Sequence, residues 1–190
     1  MEPGVDRDDQ RQRISDAVRA VFLASGYAGA SLTRLAAATG LGKASLYHYY
    51  PGGKAEMARS LVRDAIFALQ REVFGPLTRG GSGTQRLSDC IDGFVAYTAG
   101  GQQNCIIALF LAEHAPVLDE RLIHSQFEDW CRALADCYES LGQKPKAALR
   151  SARRLLGALY GALALAQLLG EPKELRRTAK RLKLELRDSA

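Results

Sequence analysis

The chain reads as an all-α protein of about nine helices, and three observations predict this. Apolar residues recur at spacings of three and four along nearly its whole length, as one face of a 3.6-residue helix demands. No segment alternates apolar and polar residues strictly enough to make a strand. Gly and Pro punctuate the chain at helix-length intervals. With 190 residues, 47% of them hydrophobic and 25% charged, one or two domains can bury a core without a disulfide or a metal.

Taken in order, Ile14, Val18, Val21 and Phe22 share a helical face, and Gly26 ends that helix with Tyr27 beyond it. Ser31 is an N-cap for a short helix over 32–39, Gly40 breaks it, and a second short helix covers about 43–49. Pro51-Gly52-Gly53 is a turn, and 55–73 reads as one long helix. Gly75-Pro76 and the run 79–83 read as a flexible loop. Leu87, Ile91, Phe94, Val95 and Thr98 mark the next helix, closed by Gly100-Gly101. The stretch 105–112 is apolar all round, which predicts a helix buried on several sides. Beyond Ala115-Pro116, Ile123, Phe127, Trp130, Leu134, Cys137 and Leu141 keep helical spacing, and 142–145 is a linker. Two helices, 146–169 and 172–187, close the chain around Gly170.

Several function classes are excluded. The first residues are polar and lack an apolar targeting core, and 155–169 is too short and too rich in Ala and Gly to span a bilayer. A cytoplasmic protein with no membrane partner is expected. Cys90, Cys105, Cys131 and Cys137 form no Cys-x-x-Cys pair and no metal spacing; they read as small buried hydrophobes or as a redox switch. No nucleophile elbow, phosphate loop or catalytic carboxylate pair is present, so neither enzyme chemistry nor a cofactor is expected. The net charge of +5 is unevenly placed: residues 1–56 carry +1, 57–143 carry −4 and 144–190 carry +8. Charge alone therefore does not mark the N-terminal end as a nucleic-acid binder.

Geometry does. A helix-turn-helix needs a small residue where its helices cross, a turn residue that tolerates positive φ, and apolar residues that lock the pair. Ala36 and Gly40 fill the first two roles, and Leu35, Leu41 and Leu46 the third. The second helix then fits a major groove with its N-terminal residues at base edges, although an ordinary αα-hairpin shows the same pattern.

The segment GYAGASLTRLAAATGLGKASLYHYYPGGKAEM decides between these. With Gly26-Tyr27, Ser31, the Ala36/Gly40 pair, Leu46-Tyr47, Tyr49-Tyr50 and Lys54, it resembles the DNA-binding domain of the TetR family of regulators. The Pro-Gly-Gly-Lys turn and GGQQNCIIALFLAEHAP look like the LmrA/YxaF-like branch. The resemblance implies a three-helix helix-turn-helix domain over 1–54 and a helical ligand-binding and dimerisation domain over 55–190. It also implies a transcriptional repressor that binds a palindromic operator in double-stranded DNA as a homodimer and is released by a small hydrophobic effector.

The DNA-facing set it implies is Thr33, Arg34, Gly42, Lys43, Ala44, Ser45, Tyr47, Tyr49 and Lys54. Thr33 bonds a phosphate or base, Lys43 reaches guanine O6/N7, and Ala44 touches a thymine methyl. Tyr47, Tyr49 and Lys54 hold phosphates. Tyr50 is mainly core, and His48 is solvated. Two departures stand out: Gly42 takes a position where the family often has a hydroxyl, and Arg34 replaces a frequent acid but is able to reach a phosphate.

For the interface between copies, Leu155, Leu159, Ala162, Leu163, Ala166 and Leu169 of the penultimate helix, with Leu175 and Leu182 of the last, form stripes that a four-helix bundle from two subunits would bury. An intramolecular core is the other reading. Arg153, Arg154 and the basic run 173–187 read as a solvated face. Phe67, Phe94, Tyr97, Phe110, His114, Phe127, Trp130, Tyr160 and Gln167 are the candidates to line an effector pocket, and each also suits ordinary core. A DNA-binding head governed by cysteine redox state is the alternative mechanism of control.

Overall fold

The structure, a computed structural model, describes residues 3–188, with side chains described over 9–188. The outermost residues of the two expected domains, 1–2 and 189–190, lie outside the described residues. Within them the chain is helical throughout: α1 (Pro3–Gly29), α2 (Leu32–Thr39), α3 (Lys43–Tyr49), α4 (Gly53–Ala68), α5 (Gly83–Tyr97), α6 (Ile106–Ala112), α7 (Glu120–Ser140), α8 (Pro145–Leu169) and α9 (Lys173–Asp188).

The chain forms two compact units. The first holds residues up to Ala65 together with 105–118, and the second holds 66–104 with 119–190. The division expected between residues 54 and 55 falls in the first turn of α4, whereas the first unit keeps α4 as far as Ala65 and also takes α6.

In the first unit, α1 buries Ile14, Val18 and Phe22 and leaves Val21 half-buried. Gly26 breaks the helix with φ 66° and ψ −176°, so the chain kinks where a breaker was expected. α1 packs on α2 and on α6, whose Ile106, Ile107 and Phe110 are fully buried. Phe110 meets Phe22 edge to face at 5.5 Å and Tyr27 at 5.8 Å, joining residues far apart in sequence into one aromatic core.

In the second unit, α7 packs against α8, α8 against α9, and α5 against both α7 and α9. The long helix expected over 55–73 does not run through. After Ala68 the backbone widens into a π turn over Leu69–Phe74 and then tightens into a 3-10 turn over Gly75–Thr78. Close approach accompanies this change: a Cβ at Gly93 of α5 would collide with the Glu72 carbonyl oxygen. The Gly75-Pro76 stretch, expected to be loose, buries Pro76 and Leu77. Trp130 of α7 stacks on Phe74 at 4.1 Å and donates its Nε1–H to Gln70 Oε1 at 2.7 Å, which satisfies the buried indole. Among the described residues no helix is long and apolar enough to cross a membrane, and no group of three or more His, Cys, Asp or Glu is placed to hold a metal.

Candidate nucleic-acid interface

α2 begins at Ser31, whose hydroxyl accepts the Arg34 N–H at 3.2 Å. Arg34 then folds back, its Nη1 donating to the Gly29 carbonyl at 3.2 Å, so in this geometry the guanidinium staples its own helix entry. α2 ends at Gly40, which sits in the left-handed region at φ 67°, ψ 11° and donates its N–H to Ala37. Nothing lies within 4 Å of where its Cβ would be. Backbone conformation, not space, calls for glycine there.

Gly42 is extended at φ −67°, ψ 155° and starts α3 without a side-chain cap. Leu35 and Leu46 are fully buried and Ala36 nearly so, while Leu41 is half-buried. Leu46 is the one buried residue of α3. The helix therefore hangs on a single apolar anchor and turns Lys43, Ala44, Ser45, Tyr47 and His48 outward, with Tyr49 half-exposed. Thr33 and Arg34 stand exposed in the first turn of α2.

The turn into α4 is shaped around Tyr47. This residue is 45% exposed and its ring lies on Gly53, where a Cβ would come within 3.2 Å of Tyr47 Cε1 and where φ is 60°. Glu56 closes the same turn by accepting the Gly52 N–H at 2.6 Å. Lys54 is held rather than loose: its Nζ lies 4.4 Å from the centre of the Tyr27 ring and 3.4 Å from the Ala28 carbonyl oxygen. Tyr50 is half-buried, and burial pushes its phenol pKa up, followed by the Asp64 carboxylate, with Arg11 opposing and Glu56 adding. That environment fits a structural part for Tyr50 better than a phosphate contact.

One contributor carried no signal in the sequence. Glu113, just past α6, accepts the Ala28 N–H at 3.1 Å across 85 positions of chain. A Cβ on Gly26 would overlap the Glu113 carboxylate. Gly26 thus clears space for the carboxylate that ties down the Tyr27–Ala28 backbone, and that backbone in turn holds Lys54.

The nine pocket candidates are divided between the two units. Phe110 and His114 belong to the first unit, Phe110 in its core and His114 exposed with φ 49°. Phe67 is 65% exposed, with the Arg71 guanidinium 5.6 Å from its ring centre, so it lines no interior. Gln167 donates to the Gly101 carbonyl at 2.6 Å, so its amide has a backbone partner and does not call for a ligand. Phe94, Tyr160, Phe127 and Trp130 do converge in the second unit as a chain of ring contacts at 5.0, 6.1 and 4.7 Å. Tyr97 is buried on α5.

The interface stripe is also redistributed. Leu155, Leu159, Ala162, Leu163, Ala166, Leu175 and Leu182 are buried within the chain itself, because α8 and α9 pack on one another and α7 covers another side of α8. That burial is the intramolecular reading of the stripe. Of the residues expected at the interface, Leu169 alone is exposed, alongside Leu165, Leu168 and Leu184, which the predicted stripe does not contain.

The comparisons agree with the geometry. Residues 14–61 match the family model described as bacterial regulatory proteins, tetR family. The chain is similar to the HTH-type transcriptional regulator LmrA of Bacillus subtilis (strain 168), with 36% identity over 56 residues. That stretch is 30% of this chain and 30% of the relative. A TetR transcriptional regulator from Chloroflexus aurantiacus J-10-FL shares the fold at TM-score 0.73 and 22% identity over 93% of each chain. So does one from Legionella pneumophila, at TM-score 0.72 and 18% identity over 92% of this chain and 96% of that one. AibR, solved in complex with isovaleryl coenzyme A and operator DNA, matches at TM-score 0.63 and 20% identity over 80% of this chain and 85% of its own. The helix-turn-helix geometry and the matched segment agree: residues 14–61 are similar to the DNA-binding domain of the tetR family, and the chain as a whole shares the fold of solved TetR regulators.

Proposed function

We propose that this chain is a cytoplasmic repressor that binds a palindromic operator as a homodimer and releases it when a small ligand binds. The observation that carries the reading is α3, which buries Leu46 and presents Lys43, Ala44, Ser45 and Tyr47 on an open face. A helix so attached enters a major groove without unpacking its own core. Lys43 and Ala44 then meet base edges, and Thr33, Tyr47, Tyr49 and Lys54 meet phosphates.

AibR, with isovaleryl coenzyme A and operator DNA in one complex, supports control by a small molecule. The aromatic chain from Phe94 to Trp130 supports an apolar ligand in the second unit. Control by cysteine oxidation is less well supported. Cys90, Cys105 and Cys137 are buried, and burial pushes the thiols of Cys90, Cys131 and Cys137 up, which depletes the reactive thiolate.

The test is a genomic binding-site selection followed by two variants. Lys43→Ala relaxes base preference, whereas Lys54→Ala weakens binding to every sequence and lowers the salt slope by about one. Unchanged affinity and salt dependence in both variants would remove α3 from the interface.

A further inference from the structure

α7 and α8 enclose an open groove of about 500 Å³ that is built from the second unit alone. His124, Phe127, Glu128 and Cys131 occupy one stripe of α7 with Arg132 beside it, and Leu149 and Arg153 stand one turn apart on α8. The floor and the rim differ in character. Phe127, Cys131 and Leu149 are half-buried, while His124, Arg132 and Arg153 are exposed around them and Glu128 is the one carboxylate of the lining. Phe127 is fixed from below by Trp130, which it meets edge to face at 4.7 Å. Arg153 lies close enough to the Cys131 thiol to favour its ionised form, against the larger effect of burial.

We infer that this groove binds a small amphipathic anion, its apolar body on Phe127 and Leu149 and its carboxylate, sulfonate or phosphate between Arg153 and Arg132. The volume is within the range of small-molecule sites, and an apolar floor with a few convergent charged groups is their usual composition. The guanidinium groups supply charge-assisted hydrogen bonds that are strongest, and bidentate, to an anionic head group. The inference deepens the ligand-controlled reading given above. Binding is measured without DNA, so its failure leaves the operator reading intact, and the reverse holds as well.

The structure supplies two reporters. Trp130 is the only tryptophan of the chain and lies under the floor. Cys131 is the only one of the four cysteines that is not fully buried. Intact protein is titrated with 1-anilinonaphthalene-8-sulfonate while energy transfer from Trp130 is followed. Alkylation of Cys131 by iodoacetamide is then mapped with and without the dye.

The expected result is saturable binding of one dye per chain. Cys131 alkylation slows roughly tenfold when the dye is about ten times above its Kd. Arg153→Glu, a change on the exposed rim, weakens dye binding roughly tenfold or more. Leu149→Trp fills the floor and abolishes binding, and the uncharged N-phenyl-1-naphthylamine fails to protect Cys131. Cys131 alkylation indifferent to the dye, or full affinity in Arg153→Glu, overturns the proposal. Equal protection by the uncharged dye overturns its anionic part.

Discussion

Two glycines two positions apart have opposite requirements. Gly40 has open space around it but a left-handed backbone, and Gly42 has open space and an ordinary extended one. Gly40→Ala therefore costs about 1–2 kcal/mol, the penalty of an L side chain in the left-handed region, and Gly40→Asn costs less because Asn tolerates that region. Gly42→Ser supplies the cap that α3 lacks and stabilises by a few tenths of a kcal/mol. Denaturant midpoints at constant m-value check the order, with Gly42→Ser above the parent, Gly40→Asn below it and Gly40→Ala lowest. A Gly40→Ala variant as stable as the parent would mean that the turn does not need its left-handed residue. Gly40 was legible in the sequence because a turn needing positive φ leaves a glycine at a fixed offset. Gly93 was not, because its reason is the Glu72 carbonyl of a distant segment.

Among the elements, α6 departs furthest from the sequence reading. An all-apolar run predicts a buried helix but not which neighbours bury it, and Ile106, Ile107 and Phe110 are buried in the first unit. The π turn over Leu69–Phe74 was equally hidden, since its residues suit an α-helix and the close approach of Gly93 is a tertiary fact. By contrast α2, α3 and the α8–α9 pair were legible, because local caps, breakers and apolar spacing determine them. The consequence of placing α6 beside α1 is specific. Glu113→Ala removes the acceptor of the Ala28 N–H, a loss of about 1 kcal/mol, and speeds exchange of that amide roughly fivefold. Operator affinity falls in the same sense as for Lys54→Ala, because Lys54 rests on the Tyr27–Ala28 backbone. Glu113→Gln keeps a carbonyl acceptor and retains most of both. Unchanged exchange at Ala28 in the Glu113→Ala variant would show that Glu113 is not what holds this segment.

For the whole molecule, the uneven charge and the exposed leucines bear on assembly. Burial of the expected stripe inside one chain leaves a different face of α8 for a second copy, with Leu165 51% and Leu168 81% exposed. Gly157 and Gly161 lie on the same side with open space above them, so another helix can approach closely. Exposed leucines on one helix face are costly unless covered, and Leu169 at the end of the same helix is exposed as well. The same helix carries Arg150, Arg153 and Arg154 exposed in its first half, and with a net +8 over residues 144–190 two copies joined through this end of the chain would repel one another. Salt then acts in opposite directions on the two associations. In the proposed homodimer it screens repulsion between copies and tightens their association, but it weakens the grip on DNA phosphates. Replacing Leu165 and Leu168 together by Asp leaves the fold intact, since both side chains face solvent in the single chain. Sedimentation equilibrium should then give a monomer, and affinity for a palindromic operator should fall at least about a hundredfold while a half-site is bound as before. A double variant that still sediments as a dimer would place the interface elsewhere. A monomer with full operator affinity would show that the protein does not need two copies to hold its site.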